Sequence, residues 1–237
     1  MSNYNQISSF IWNVCDDVLR GLFKPHEYGD VILPFTVLRR LDCTLESHKD
    51  EVYEIYEKYK NQVDDPTPII LNKINTNFFN HSKYDLTRLK SDPQNINLNF
   101  QNYIGGYSDN VVEIIENFQF DKPVQKLHKS NRLYQLIDKF TEVDLHPDVI
   151  SNRDMGIIFE ELLRKFSEMS NETSGEHYTP RDIVRLLVSF VFEKDREELQ
   201  GVGNVRSVYD PCCGSGGMLT IGEQYIHDNI NDKVELR

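Results

Sequence analysis

Cysteine is scarce: four residues in a chain of 237, at Cys15, Cys43, Cys212 and Cys213, too few and too scattered for a disulfide framework. The adjacent pair Cys212–Cys213 also lacks the C-x-x-C spacing of metal and redox sites. Long apolar runs are missing, and nothing approaches the roughly 18 residues of a membrane-spanning helix. The opening residues, "MSNYNQISSFIWNV", set no basic flank ahead of a continuous apolar segment, which argues against a signal peptide. These absences point to a reduced, cytoplasmic protein with no membrane association. Positive charge is short as well: 26 Lys and Arg against 38 Asp and Glu give a formal net charge of −12. Such a chain does not grip nucleic acid alone through a uniformly basic surface. A basic partner could supply phosphate contacts, and keeping the protein soluble is the plainer use of the charge. Hydrophobic residues at 39% and aromatics at 11% suffice for a real core, and the length fits one large domain or two small ones.

Nothing before residue 200 alternates convincingly at period two, and no internal repeat stands out, so this part reads as mostly helical. Ile7, Phe10, Ile11, Val14 and Val18 have amphipathic helical spacing over residues 5–20, with Gly21 to end the helix. A second helix is expected after Asp30 as N-cap, with Pro34 in its first turn. "KDEVYEIYEKYKNQ" gives a third. Residues 61–104, rich in Asn, Asp and Pro, predict short helices joined by irregular loops. Ser108 is expected to cap "DNVVEIIENF", "SNRLYQLIDKF" gives another helix, and Ser151 with Asp154 resembles a capping box opening a helix to residue 169. "SEMSNETSG" is the best boundary or mobile loop. After it, Thr179 as N-cap and Pro180 at the first helical position start a helix whose face (Ile183, Leu186, Leu187, Phe190, Val191) is expected to pack on a sheet or another helix.

"VRSVYDP" is the first credible strand, and "CCGSGG" followed by "GMLTIGEQYIHDNI" makes it strand, glycine loop, helix, the opening half of a βαβ unit. Gly214, Gly216 and Gly217 allow a tight turn and close approach of backbone N–H groups to a ligand, and the following helix start favours an anionic group. A turn needed only to pack helix on strand is the plainer alternative. A phosphate loop would need Lys where Met218 and Leu219 stand. A dinucleotide fingerprint from Gly214 would need Gly or Ala at Leu219. The remaining ligand class is an amino-acid-bearing nucleoside, its carboxylate at the helix start and its ammonium received by Asp210.

These residues resemble a family. "DPCCGSGG" is similar to motif I of S-adenosylmethionine-dependent DNA methyltransferases that act on the exocyclic amine of adenine. "SGEHYTPRDIVRLLV" resembles the family's motif X, and "FIWNVCDDVLRG" and "DVILPFTVLRRLD" resemble the helical N-terminal domain of the modification (M) subunit of type I restriction–modification systems. The resemblance covers nearly the whole chain. It implies a mainly α N-terminal domain, a helical bundle over residues 1–168. The start of an α/β Rossmann-like S-adenosylmethionine-dependent methyltransferase domain, truncated, follows over residues 169–237. It implies S-adenosyl-L-methionine as cofactor, with contacts at Glu176, His177, Tyr178, Thr179, Pro180 and Arg181 and at Asp210, Gly214, Ser215, Gly216 and Gly217. Acidic groups at Glu176 or Asp210 suit the cofactor's cationic side, and Tyr178 could stack near its sulfonium. Thr179 and Pro180 also serve simply to start a helix, His177 alone reads more readily as a loop histidine, and Arg181 reads equally as a solvated first-turn residue. The implied partners are DNA, a specificity (S) subunit, a restriction (R) subunit and a second M subunit.

The sequence departs from the family in two respects, the target-base motif and the second strand, whose closing acidic residue takes the ribose hydroxyls in the family. The family's (Asn/Asp/Ser)-Pro-Pro-(Tyr/Phe) motif, which holds the flipped adenine, has no counterpart, since no Pro-Pro occurs. No second strand is expected before Arg237, and no catalytic or metal-binding residue is assigned. The expectation is an N-terminal piece of a longer enzyme or a truncated gene product, inactive by itself. The other reading is a non-catalytic interaction module with a vestigial cofactor fold.

Overall fold

The computed structural model describes residues 2–169, 179–201, 205–214, 216–231 and 233–236, and for residues 2–6, 153, 235 and 236 it describes the backbone alone. The chain divides into two units, Met1–Ser170 and Asn171–Arg237. Helix α1 (Ser2–Val14) turns Ile7, Ile11 and Val14 inward and runs into one widened π-type turn, Cys15–Leu19. Gly21 then reverses the chain at φ +77°, the left-handed region that disfavours a Cβ. Helix α2 (Gly29–Leu45) begins two residues earlier than Asp30 as N-cap suggests, because the Tyr28 carbonyl accepts from both Val31 and Ile32 N–H, at 3.2 and 2.9 Å. Asp30 therefore lies in the first turn, and Pro34 lies inside the helix, where it removes one i→i−4 bond.

Helices α3 (Lys49–Tyr59), α4 (Thr67–Ile74), α5 (Leu86–Leu89), α6 (Ile96–Ile104), α7 (Asp109–Asn117), α8 (Asp121–Lys129), α9 (Leu133–Thr141) and α10 (Asn152–Met169) complete the first unit. Helix α2 is its axle. Val31, Ile32, Phe35 and Leu38 are fully buried, and the Phe35 ring lies 5.8, 5.2 and 5.4 Å from those of Phe100, Phe120 and Phe140. Each such buried side chain contributes about 1.5–3 kcal/mol. On α2's polar side, Arg39 Nε donates to the Val143 carbonyl at 2.7 Å, and Arg40 Nη1 donates to the carbonyls of Leu145 and Ile150. The arginine pair of "DVILPFTVLRRLD" thus fastens the segment between α9 and α10. That segment ends in a cap of the expected kind: Asp154 N–H donates to Ser151 Oγ at 3.1 Å, and Ser151 Oγ donates to Asp154 Oδ2 at 2.8 Å. Ser108 does stand at the start of α7, but its hydroxyl accepts Phe79 N–H and donates to Asn110 Oδ1.

A polar network crosses this apolar core. The buried Asp42 carboxylate accepts from Leu86 N–H at 2.7 Å through Oδ2, and from the Tyr103 and Tyr107 hydroxyls at 2.9 and 3.2 Å through Oδ1. Nearby, Lys49 Nζ donates to Asn80 Oδ1 at 3.1 Å, and Asn80 Nδ2 donates to the Tyr103 carbonyl at 3.0 Å. Burial opposes charge on both titratable groups, pushing Asp42 up to about 6 and Lys49 down to about 8. The chain around Asn80 runs tightly against residues 106–108, with His81 N–H bonded to the Gly106 carbonyl at 2.8 Å and Ser108 N–H to the Phe79 carbonyl at 3.1 Å.

In the second unit, α11 (Arg181–Glu193) is followed by α12 (Arg196–Leu199), strand β1 (Val205–Arg206), α13 (Gly217–Asn229) and strand β2 (Glu235–Leu236). Strands β1 and β2 pair in parallel, Val205 opposite Glu235 and Arg206 opposite Leu236. The second strand corrects the sequence expectation of none; it is too short to show a periodic pattern. Helix α11 corrects another. Val184 and Val188 pack against Ile221, whereas Ile183, Leu186, Leu187, Phe190 and Val191 stand in the open, 44–69% exposed. No helix among the described residues is long and apolar enough to cross a membrane.

Two outcomes follow for the first unit. Because the folded value of Asp42 lies above its ordinary 3.8, the folded protein keeps a proton that the unfolded chain releases. This contribution favours folding at low pH and is lost as pH rises through about 6, an effect on the order of 3 kcal/mol at most. Urea denaturation of the parent and Asp42→Asn between about pH 4 and 7.5 should therefore show the parent's advantage shrinking as pH rises. A constant difference would mean that Asp42 stays ionised. Gly106→Ala would place a Cβ 2.6 Å from Ser82 Cβ and 2.7 Å from Ser82 N, and should cost about 1–3 kcal/mol in the same assay. Gly105→Ala, whose Cβ meets its nearest atom at 3.4 Å, serves as the mild comparison.

Candidate functional site

The loop between β1 and α13 is built by its own backbone. Asp210 Oδ1 accepts Cys212 N–H at 3.0 Å, an Asx turn that fixes the entry. Gly214 at φ +52° and Gly216 at φ +78° occupy left-handed backbone, which explains two of the three glycines without any ligand. Gly216 N–H donates to the Cys213 carbonyl at 2.7 Å, so that amide is committed inward and does not face a ligand. Gly217 is different. Its φ lies outside the left-handed range, and a Cβ built there meets no protein atom within 4 Å; neither backbone strain nor packing demands a glycine. Gly216 is the N-cap of α13, and Thr220 closes the first turn with N–H and Oγ1 bonds to the Gly216 carbonyl at 3.0 and 3.1 Å. Amides of the first helical turn have no intrahelical acceptor, so the loop ends in an anion-favouring helix start.

The start of α11 differs by one residue from the sequence expectation. Pro180, not Thr179, is the N-cap, at φ −55° and ψ 138°, and Val184 N–H bonds to its carbonyl at 3.0 Å. Proline's fixed φ sets this geometry without a side-chain cap. Thr179 and Pro180 are exposed and Arg181 is half-buried. Glu176, His177, Tyr178 and Ser215 lie outside the described residues.

Sequence alone did not indicate how the two motifs are brought together. Phe192, near the end of α11, lies against Gly222 of α13. Arg196 Nη1, beyond the end of α11, donates to the Asn229 carbonyl at the end of α13, at 3.1 Å. The two helices therefore run in the same direction, with Val184, Val188 and Ile221 between them. Their starts, Pro180–Arg181 and Gly216–Gly217, consequently share one end of the pair. Arg196 and Asn229 carry no chemical motif, so no pattern pointed to them. Among the described residues no group of His, Cys, Asp or Glu is placed to hold a metal ion.

Known proteins resemble the two segments of this chain in sequence. The family described as the HsdM N-terminal domain matches residues 7–140, and the one described as N-6 DNA Methylase matches residues 151–237. The type I restriction enzyme MjaIX methylase subunit of Methanocaldococcus jannaschii is 27% identical over 221 residues, covering 88% of this chain and 38% of that protein. The EcoEI methylase subunit of Escherichia coli is 33% identical over 103 residues, covering 44% and 19%. The HindI methylase subunit of Haemophilus influenzae is 33% identical over 81 residues, covering 33% and 16%. The chain thus spans well under half the length of these relatives. With a family match over more than half its length and a methylase match over the rest of its motifs, the chain belongs to the modification (M) subunits of type I restriction–modification systems.

Proposed function

We propose that the paired helix starts form part of an S-adenosyl-L-methionine site. In the whole protein that site would serve methyl transfer to the exocyclic amine of adenine in DNA. One observation carries this reading: the parallel course of α11 and α13 puts the two motif-bearing starts at one end. The residues present fit the cofactor. The open space at Gly217 beside the first-turn amides of α13 suits its carboxylate. Asp210, with Oδ1 holding the loop entry, retains acceptor capacity for its ammonium group. Gly214 and Gly216 hold the turn. Thr179, Pro180 and Arg181 line the neighbouring helix start, and Glu176, His177, Tyr178 and Ser215, outside the described residues, are the remaining proposed contacts. When bound, the cofactor supplies a methyl group activated by its sulfonium.

The order β1–α13–β2 supports reading this unit as the opening of a Rossmann-like sheet, with residues 1–168 as a separate helical domain. The target adenine would leave the duplex first, at a cost of a few kcal/mol. DNA, an S subunit, an R subunit and a second M subunit are the proposed partners. A specificity subunit that reads the DNA accords with the acidic charge of −12. Without a Pro-Pro motif to hold the base, this chain alone is not expected to methylate. A second reading, a partner-binding module without turnover, draws on the open apolar face of α11. Adenine methylation by a protein extended to the relatives' full length would exclude it.

Gly217→Val is the sharper probe of the loop, because Gly216→Val would also strain a left-handed residue. In the extended protein, Gly217→Val should weaken S-adenosyl-L-methionine binding at least about tenfold by calorimetry, a change of about 1.4 kcal/mol, with little change in thermal stability. Unchanged affinity in the folded variant would place the ligand elsewhere.

A further inference from the structure

Two of the chain's four thiols are sealed in, and two are not. Cys15 and Cys43 are buried, at 1% and 2% exposure, while Cys212 and Cys213 are exposed. Burial pushes the Cys15 thiol up to about 12 and raises that of Cys43 as well, so neither presents thiolate to a reagent. The outer pair is consecutive, and its backbone is held from both sides. Cys212 N–H donates to Asp210 Oδ1 at 3.0 Å, and the Cys213 carbonyl accepts Gly216 N–H at 2.7 Å.

Geometry decides what such a pair can take. Consecutive Cα atoms lie about 3.8 Å apart across a trans peptide, short of the roughly 4.4–6.8 Å that a disulfide usually spans. Joining the sulfurs directly would strain the ring, whereas one bridging atom relieves it. A structural zinc site needs four donors, and no such donor group occurs among the described residues. A ligand that needs two thiolates and nothing more remains.

We propose that Cys212–Cys213 is a bidentate modification site for thiophilic electrophiles of the trivalent arsenical class. With an organoarsenic(III) oxide, two As–S bonds form while two S–H bonds and the arsenic–oxygen bond break. The oxide oxygen leaves as water with both thiol protons. Arsenic stays trivalent, so no oxidant or reductant enters. The site stands on exposure and spacing, independently of any cofactor at the loop.

The test uses the folded chain and phenylarsine oxide. A chromogenic aromatic disulfide should titrate two thiols at least about a hundredfold faster than the other two. One equivalent of phenylarsine oxide should remove both fast thiols and add one phenylarsenic group to the intact mass. The adduct should survive excess monothiol and be released by a dithiol. Cys212→Ser and Cys213→Ser, each verified as folded by circular dichroism, should lose the monothiol-resistant adduct, with retention falling at least about tenfold. An adduct as resistant on either variant as on the parent would overturn the proposal, as would a parent with no fast pair.

Discussion

A buried carboxylate organises the first unit. Asp42 sits where apolar packing would ordinarily exclude charge, and a buried carboxyl is tolerable only with its acceptors filled. The three donors that fill them come from remote parts of the chain: Leu86 at the head of α5, Tyr103 in α6, and Tyr107 just beyond it. Meeting one hydrogen-bonding demand therefore fixes where two further helices lie against α2. Lys49 and Asn80 extend the same network to the irregular segment before α5. The apolar face of α2 supplies the bulk of the driving force, and the network selects one arrangement among the many that would bury Phe35. The cost is a tightly specified crossing at Asn80, Ser82 and Gly106.

Helices with local signals were legible in the sequence. Gly21 was identified as a terminator, and its positive φ is the reason. Ser151 and Asp154 were identified as a cap, and their reciprocal bonds are within one turn. Local chemistry misled where a neighbouring carbonyl could do the same work. The Tyr28 carbonyl starts α2 ahead of Asp30, and Pro180 starts α11 ahead of any threonine hydroxyl. The Asp42 network was invisible for a different reason: the three donors to its carboxylate lie 44 to 65 positions from Asp42, beyond the reach of any periodicity.

The candidate site divides in the same way. The glycine cluster marked the loop, but the three glycines do three different things: Gly214 turns the chain, Gly216 both turns it and spends its amide inward, and Gly217 faces open space with no left-handed backbone to require it. Composition cannot separate these uses, because all three residues are written with one letter. The two motifs pointed to one ligand by resemblance, while their shared end depends on a guanidinium and a helix-terminal carbonyl that belong to neither motif.

The uncovered stripe of α11 also bears on how the protein behaves as a colloid. Five large aliphatic and aromatic side chains meet water along one helix, and mutual repulsion among chains carrying 38 acidic against 26 basic groups opposes their adhesion. Acidification neutralises the carboxylates and concentrated salt screens them, so either condition removes the barrier while leaving the stripe in place. Handling in mildly alkaline, dilute buffer keeps the molecules apart; an ammonium sulfate cut or an acidic ion-exchange step would gather them through this ledge.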